Sequence, residues 1–293
     1  MALVFVVSEE QGAGKTGVAA AIARHYAYQG RPTRLMRLSS DLKESNAEAD
    51  AQYFATLEFA PGSPAGVVTA GEVADNPDGL VVVEGDLAAM PAIAGAKVVL
   101  VATNAPSPDQ VEALGAAAIV MTSIPRFVMR IVPATIGDAA AVAIPEDRCL
   151  AGFSVSEAQQ WLNAERLVEG DRDDPTSDYL VIAPIGSDAG QPYLRRFPSK
   201  AVVVRFDKTD QHLAALASEP NCLILTGGRR PSEYLFDAAG ARGVPVLLSA
   251  TDTENTVLAL EDIYGHTRFQ GERKLNRMSE LLEASKLFET LGI

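Results

Sequence analysis

Between an apolar run and an amphipathic one lies the segment Ser8-Glu9-Glu10-Gln11-Gly12-Ala13-Gly14-Lys15-Thr16. Strand, glycine-rich loop and helix, in that order, are the setting of a phosphate-binding loop. There, backbone N–H groups and the positive end of the helix cradle phosphate oxygens. In such a loop Gly12, Ala13, Gly14, Lys15, Thr16 and Gly17 would hold a nucleotide. Lys15 would neutralise β/γ charge and the Thr16 hydroxyl would hold Mg²⁺. The full pattern places glycine six residues before the lysine; here that position is Glu9, and Glu10 adds a second carboxylate. The same residues also fit a tight strand–helix turn that holds no ligand.

A loop of this kind works with a carboxylate near the metal. Glu84, in Leu80-Val-Val-Val-Glu-Gly-Asp86, sits at the end of a buried run, where strand carboxyl ends gather ligands. Asp50, in Asn46-Ala-Glu-Ala-Asp50, is the second candidate. Thr16, Glu84 and Asp50 are the expected Mg²⁺ ligands, and Lys15 and Glu84 the candidates for any catalytic role. Read singly, Glu84 is a turn acid and Asp50 a charge on a helix face.

A second cluster lies in the other half. Asp207, Thr209 and Asp210, then Thr226, Gly227 and Gly228, then Thr253, each follow an apolar run that reads as a parallel strand. Three such ends would line one edge of a sheet. Gly227 and Gly228 permit close approach of a ligand or another backbone, and Arg229 and Arg230 offer cations to an anion. These residues could form an effector site, an interface, or three ordinary strand–helix turns. His212 stands alone near them, with no nucleophile–base pair, so covalent chemistry is not expected.

The elements that must position these residues alternate along the whole chain. Leu3–Val7, Arg34–Leu38, Leu80–Val83, Val98–Ala102 and Ala118–Thr122 read as buried strands, with helices over Gly17–Tyr28 and Pro108–Leu114. Ile144–Leu150 would close this first unit, and Ser154–Leu167 would be a helix leading away from it. Acidic Glu169–Asp178 reads as the linker. Strands at Tyr179–Ile185, Ala201–Phe206, Asn221–Leu225 and Pro245–Ser249 follow, with helices at Gln211–Ser218, Ser232–Arg242 and Glu254–His266. The tail from Lys274 to Leu291 carries an apolar stripe at helical spacing, the mark of a docking helix or of an oligomer contact. The expected organisation is α/β, with a parallel-sheet domain at 1–168 and a smaller α/β domain at 179–293.

Composition limits the partners. The 293 residues carry 25 Lys+Arg against 38 Asp+Glu, a net charge of -13, so neither nucleic acid nor an anionic membrane is an expected partner. Cys149 and Cys222 read as reduced thiols, and the three histidines lack metal-ligand spacing. The first residues lack signal-peptide character, and cytoplasm is the expected compartment.

The motifs taken together resemble a known arrangement. SEEQGAGKT after a strand, Asn46–Asp50, VVVEGD, AIVMTSIP and IPEDRCL are similar to a dethiobiotin-synthetase-like P-loop domain. More specifically, they resemble the version at the N-terminus of long bacterial phosphate acetyltransferases. Phe206-Asp207-Lys208-Thr209-Asp210, Leu225-Thr226-Gly227-Gly228 and Pro245-Val246-Leu247 resemble the DRTGG domain that follows it in those enzymes. This chain departs from the family at three places: Arg37-Leu38 stands for the family's Lys-Pro, Thr122 for its base-side Asn, and Lys208 for its Arg. The resemblance implies an ATP- or other nucleotide-binding regulatory or assembly protein linked to acetyl-phosphate or acetyl-CoA metabolism. It would self-associate through the DRTGG-like domain and have an acetyltransferase or other metabolic enzyme as partner. The second reading is an ATP-dependent carboxylate-activating ligase, similar to dethiobiotin or cobyrinic acid amide synthases. The third is a scaffold that has lost nucleotide binding. The acetyltransferase domain lies outside these 293 residues, so acetyl transfer is not expected of them.

Overall fold

In a computed structural model the described residues are 2–39, 45–73, 79–183 and 191–293, and they divide into two units. The first is Met1–Asp147 with Phe269–Ile293; the second is Arg148–Arg268.

The first unit runs β1 (Ala2–Ser8), α1 (Lys15–Tyr28), β2 (Thr33–Leu38), α2 (Ser45–Ala55), β3 (Leu80–Asp86), β4 (Lys97–Ala102), α3 (Pro108–Leu114), β5 (Ala116–Ile124), β6 (Thr135–Ile136) and β7 (Ala139–Pro145). These strands make one seven-stranded sheet ordered β2-β3-β1-β4-β5-β7-β6, parallel except for the β6–β7 pair. β1 is central because both its faces are apolar: Leu3 to Val7 are all buried. α3 starts and stops where its chemistry dictates, with Ser107 and Gln110 forming a capping box, Pro108 in the first turn and left-handed Gly115 at the end.

The second unit continues with α4 (Arg148–Ala151), β8 (Phe153–Ser154), α5 (Val155–Leu162), β9 (Glu165–Val168), β10 (Thr176–Ser177), β11 (Tyr179–Ile182), α6 (Gln191–Leu194), β12 (Lys200–Arg205), α7 (Thr209–Leu216), β13 (Cys222–Thr226), α8 (Glu233–Gly240), β14 (Val246–Leu248) and α9 (Thr253–Asp262). Its sheet is ordered β11-β12-β13-β14-β9, with β9 the antiparallel edge. The chain then returns to the first unit as α10 (Glu272–Ala284) and α11 (Leu287–Leu291).

The structure corrects several sequence expectations. The boundary falls at Asp147/Arg148 and not after 168, because the helix expected over Ser154–Leu167 ends at Leu162. Asn163 adopts a left-handed conformation there, and Glu165–Val168 pairs with β14. Within Ile144–Leu150, β7 ends at Pro145, the first unit closes at Asp147, and a helical turn begins at Arg148. Glu169–Asp178 is not a linker. Asp171 N–H bonds to the Gly243 carbonyl, Arg172 bonds to Asn221, and Thr176 and Ser177 pair with Ser154 and Phe153. The expected strand Tyr179–Ile185 is seen as Tyr179–Ile182, and its last two positions lie outside the described residues.

The tail docks, but on the first unit. Leu275, Met278 and Leu282 are buried along one face of α10, which packs against α1. Arg277 donates from Nε and Nη2 to Asp147 Oδ2 at 2.8 Å each, and Phe288 stacks on His25 with ring centroids 3.7 Å apart. Gly17 is what lets α10 approach: a Cβ there would lie 2.8 Å from Phe269 Cε2 and 3.0 Å from Met278 Cε.

Candidate functional site

The loop 9–14 joins β1 to α1, and two glycines give it its shape. Gly12 and Gly14 have φ of +74° and +87°, a region that costs other L-residues dearly. Gly14 is also the residue before α1, and no side chain among the described residues caps the helix there. Ser107, Ser154 and Asp252 do cap α3, α5 and α9. The first N–H groups of a helix have no intrahelical acceptor, so the start of α1 presents donors and a partial positive charge.

Lys15 opens α1 and is buried, its Nζ 3.0 Å from Asp86 Oδ1 and donating at 3.4 Å to the Glu10 carbonyl. The Thr16 hydroxyl donates to Glu84 Oε1 at 2.9 Å. Arg37 lies beside Glu84 because β2 and β3 pair in parallel with Arg37 opposite Glu84. Its guanidinium faces three carboxylates: Nε is 3.8 Å from Asp50 Oδ2 and 4.0 Å from Glu84 Oε1, and Nη2 is 3.8 Å from Asp86 Oδ1. On the far side of the loop the Thr122 hydroxyl donates to the Ala13 carbonyl at 2.7 Å, and Glu10 accepts from Thr103 N–H and Oγ1. Glu10 therefore ties the loop down.

Thus Gly12, Ala13, Gly14, Lys15, Thr16, Glu84 and Asp50 are brought together. Gly17 lies in the first turn of the same helix, and its missing side chain also makes room for Phe269 and Met278. Thr122, at the position of the family's base-side Asn, spends its hydroxyl on the loop. Sequence reading missed Asp86 as the partner of Lys15. The available signal was alternation: Val81 and Val83 join the apolar core, so Glu84 and Asp86 leave the strand toward the other face together.

Burial, reinforced by the negative charge of Asp50, pushes the Glu84 carboxyl up to about 7, against the opposing pull of Arg37, the Thr16 hydroxyl and Lys15. Its Oε2 is buried with no hydrogen-bond partner among the described residues. A carboxyl whose proton is held to about 7 when folded, but released near 4.5 when unfolded, adds stability that is complete below 4.5. That stability is lost as pH rises through 7. Glu84→Gln cannot ionise, so its melting temperature relative to wild type should climb between pH 5 and pH 8. Paired thermal scans across that interval check the sign, and a difference that falls with pH would refute it.

The expected Mg²⁺ ligands fit a metal poorly. Asp50 and Glu84 both face Arg37, whose fixed positive charge stands where a cation would sit. Among the described residues no group of three or more His, Cys, Asp or Glu side chains is gathered as a metal site. The cation these carboxylates already face is a guanidinium.

In the second unit, β12, β13 and β14 do lie side by side. Thr226 and Thr253 share a hydroxyl hydrogen bond of 2.7 Å, and Asp207 pairs with Arg205 at 3.0 Å. Thr209 begins α7 and Asp210 lies in its first turn. Gly227 and Gly228 donate their N–H groups to the Thr251 and Ser249 carbonyls. A Cβ at Gly227 would meet Phe206 at 2.8 Å, and one at Gly228 would meet the Ala250 backbone at 3.1 Å. These glycines serve loop-to-loop packing within the unit.

The two α/β units, one with a glycine loop on a parallel sheet, define the class. Residues 157–263, inside the second unit, match the DRTGG domain. Over 154 residues, 49% of this chain, the sequence is 29% identical to a phosphate acetyltransferase of Nitratidesulfovibrio vulgaris, of which the matched stretch covers 22%. The chain therefore spans well under half of that curated relative. Among solved structures, the chain matches the CBS and DRTGG domains of the regulatory region of Clostridium perfringens pyrophosphatase, complexed with activator, diadenosine tetraphosphate. It is 16% identical with a TM-score of 0.34, covering 42% of this chain and 53% of that one. The chain carries a DRTGG domain and resembles the N-terminal region of phosphate acetyltransferases. No helix among the described residues is long and apolar enough to cross a membrane.

Proposed function

We propose that the first unit binds a nucleotide, ATP in the first instance, at Gly12–Thr16, and that the protein is regulatory, passing the bound state to a metabolic enzyme through its DRTGG domain. One observation carries this reading: the start of the 14-residue helix α1 is uncapped by any described side chain and has the buried cation Lys15 beside it. Backbone donors, a helix dipole and a buried ammonium converge on one place, which suits phosphate oxygens. The strand-end residues Asp207, Thr209, Asp210, Thr226 and Thr253 are the proposed effector or self-association face. Light scattering on the full chain with and without nucleotide tests that part.

Thermal unfolding tests the nucleotide. A ligand at about 100 times its dissociation constant stabilises the native state by about 2.7 kcal/mol, so saturating ATP should raise the melting temperature measurably. Curves indifferent to ATP, ADP and GTP alike would remove the proposal. Hydrolysis should stay well below the ~10 per second of a typical dedicated enzyme, because Asp86 holds Lys15 and three carboxylates crowd the γ-phosphate end. Brisk turnover dependent on a small carboxylic acid would instead establish the ligase reading.

A further inference from the structure

We infer that Arg37 is the resident cation of this loop, a guanidinium standing among Asp50, Glu84 and Asp86 in place of a divalent metal ion, so that the loop takes nucleotide phosphates without Mg²⁺. The inference rests on the nucleotide reading for its ligand but not for its cation.

Register puts Arg37 there: it is paired opposite Glu84 on the neighbouring parallel strand, and Leu35 and Leu38 on β2 are fully buried around it. The side chain is only 4% exposed, so its charge cannot be answered by water. Instead it is answered by three carboxylates at 3.8, 4.0 and 3.8 Å and by the Leu38 carbonyl, which accepts from Nη1. None of those carboxylate distances is a tight hydrogen bond, and Nε is buried without a hydrogen-bond partner among the described residues. The group therefore acts as a charge held at the centre of a ring. It is not a fork clasping one acid in the bidentate way usual for arginine.

Two cations, Lys15 and Arg37, then balance most of the charge of Asp50, Glu84 and Asp86. A divalent ion entering the same ring would meet a fixed positive charge in a weakly screened setting. An incoming triphosphate would meet the opposite: Lys15 can exchange Asp86 for phosphate while Arg37 keeps Asp86 neutralised, since both cations address the same Oδ1. That shared oxygen lets the lysine leave without stranding an uncompensated carboxylate. In the resembled family this position carries lysine followed by proline, a more compact and more hydrated cation.

The test uses the full chain as wild type, Arg37→Gln and Arg37→Lys, with ATP titrations in MgCl₂ or in EDTA and melting curves with MgCl₂ alone. Wild-type affinity should differ between the two buffers by less than about threefold, and MgCl₂ alone should leave wild-type melting unmoved. Arg37→Gln opens the ring, so it should bind ATP at least about tenfold more tightly with Mg²⁺ than with EDTA, and Mg²⁺ alone should raise its melting temperature. Arg37→Lys should keep the wild-type indifference. Wild-type binding that falls tenfold or more in EDTA overturns the inference, as does a wild-type melting shift with Mg²⁺ alone. A folded Arg37→Gln that ignores Mg²⁺ overturns it too. Should Arg37→Gln fail to fold, the wild-type arms decide. Absence of ATP binding in either buffer removes the nucleotide reading, and the melting curves with MgCl₂ then decide the cation by themselves.

Discussion

Lys15→Ala should weaken ATP binding by roughly two to three orders of magnitude in calorimetric titration. Truncating one partner of a buried, hydrogen-bonded charge pair costs about 2–5 kcal/mol, and each 1.4 kcal/mol is a factor of ten in affinity. Here the loss falls on the bound state, because the phosphates would lose the buried ammonium at the head of α1. Asp86 separates this claim from mere damage to the loop. Asp86 holds Lys15 at 3.0 Å, so an incoming phosphate would have to displace it. Asp86→Asn should therefore leave binding intact or tighten it, while Lys15→Ala removes it. Equal losses in the two variants would show that the pair only holds the loop's shape.

Gly170→Ala should be among the most destabilising single substitutions in the second unit. Gly170 has φ of +82°, and a Cβ there would lie 2.7 Å from Pro245 Cδ, 2.9 Å from Pro245 N and 3.1 Å from the Gly243 carbonyl. Backbone atoms and a proline ring cannot step aside as a flexible side chain would. Left-handed strain of about 1–2 kcal/mol adds to an overpacking cost of about 1–3 kcal/mol. Trp161, the single tryptophan of the chain, sits on α5 and reports on this unit. Denaturant unfolding followed by its fluorescence should move to lower concentration, while Lys15-dependent nucleotide binding in the first unit stays unchanged. An unaffected transition would mean that residues 169–175 are a loose tether after all.

These two sites differ in how far the sequence reveals them. The loop was legible because it is local: Gly12, Gly14, Lys15 and Thr16 are consecutive or nearly so, and the apolar run before them marks a strand. Leu3–Val7, Val98–Ala102 and Ala201–Phe206 were legible for a related reason. Strands buried on both faces of a parallel sheet are written as unbroken apolar runs. Glu165–Val168 was not, because an antiparallel edge strand of four residues continues the helical spacing set by Ala158 and Leu162. Arg37 was hidden because its meaning depends on pairing across strands: it meets Glu84 only through the β2–β3 register. The stripe on α10 announced that something covers it. An amphipathic pattern states that a face is buried but carries no address, and the address proved to be α1.

The return of α10 to α1 also fixes an order of events during synthesis. Residues 148–268 are contiguous, so the unit they form needs no later part of the chain to complete itself. The unit bearing the loop does. Helix α1 emerges early, with Gly17 and its neighbours prepared for Phe269 and Met278, residues not yet translated. Through that interval one flank of α1 has to wait bare or be shielded by a chaperone, and the nascent loop stands on a helix that lacks its cover.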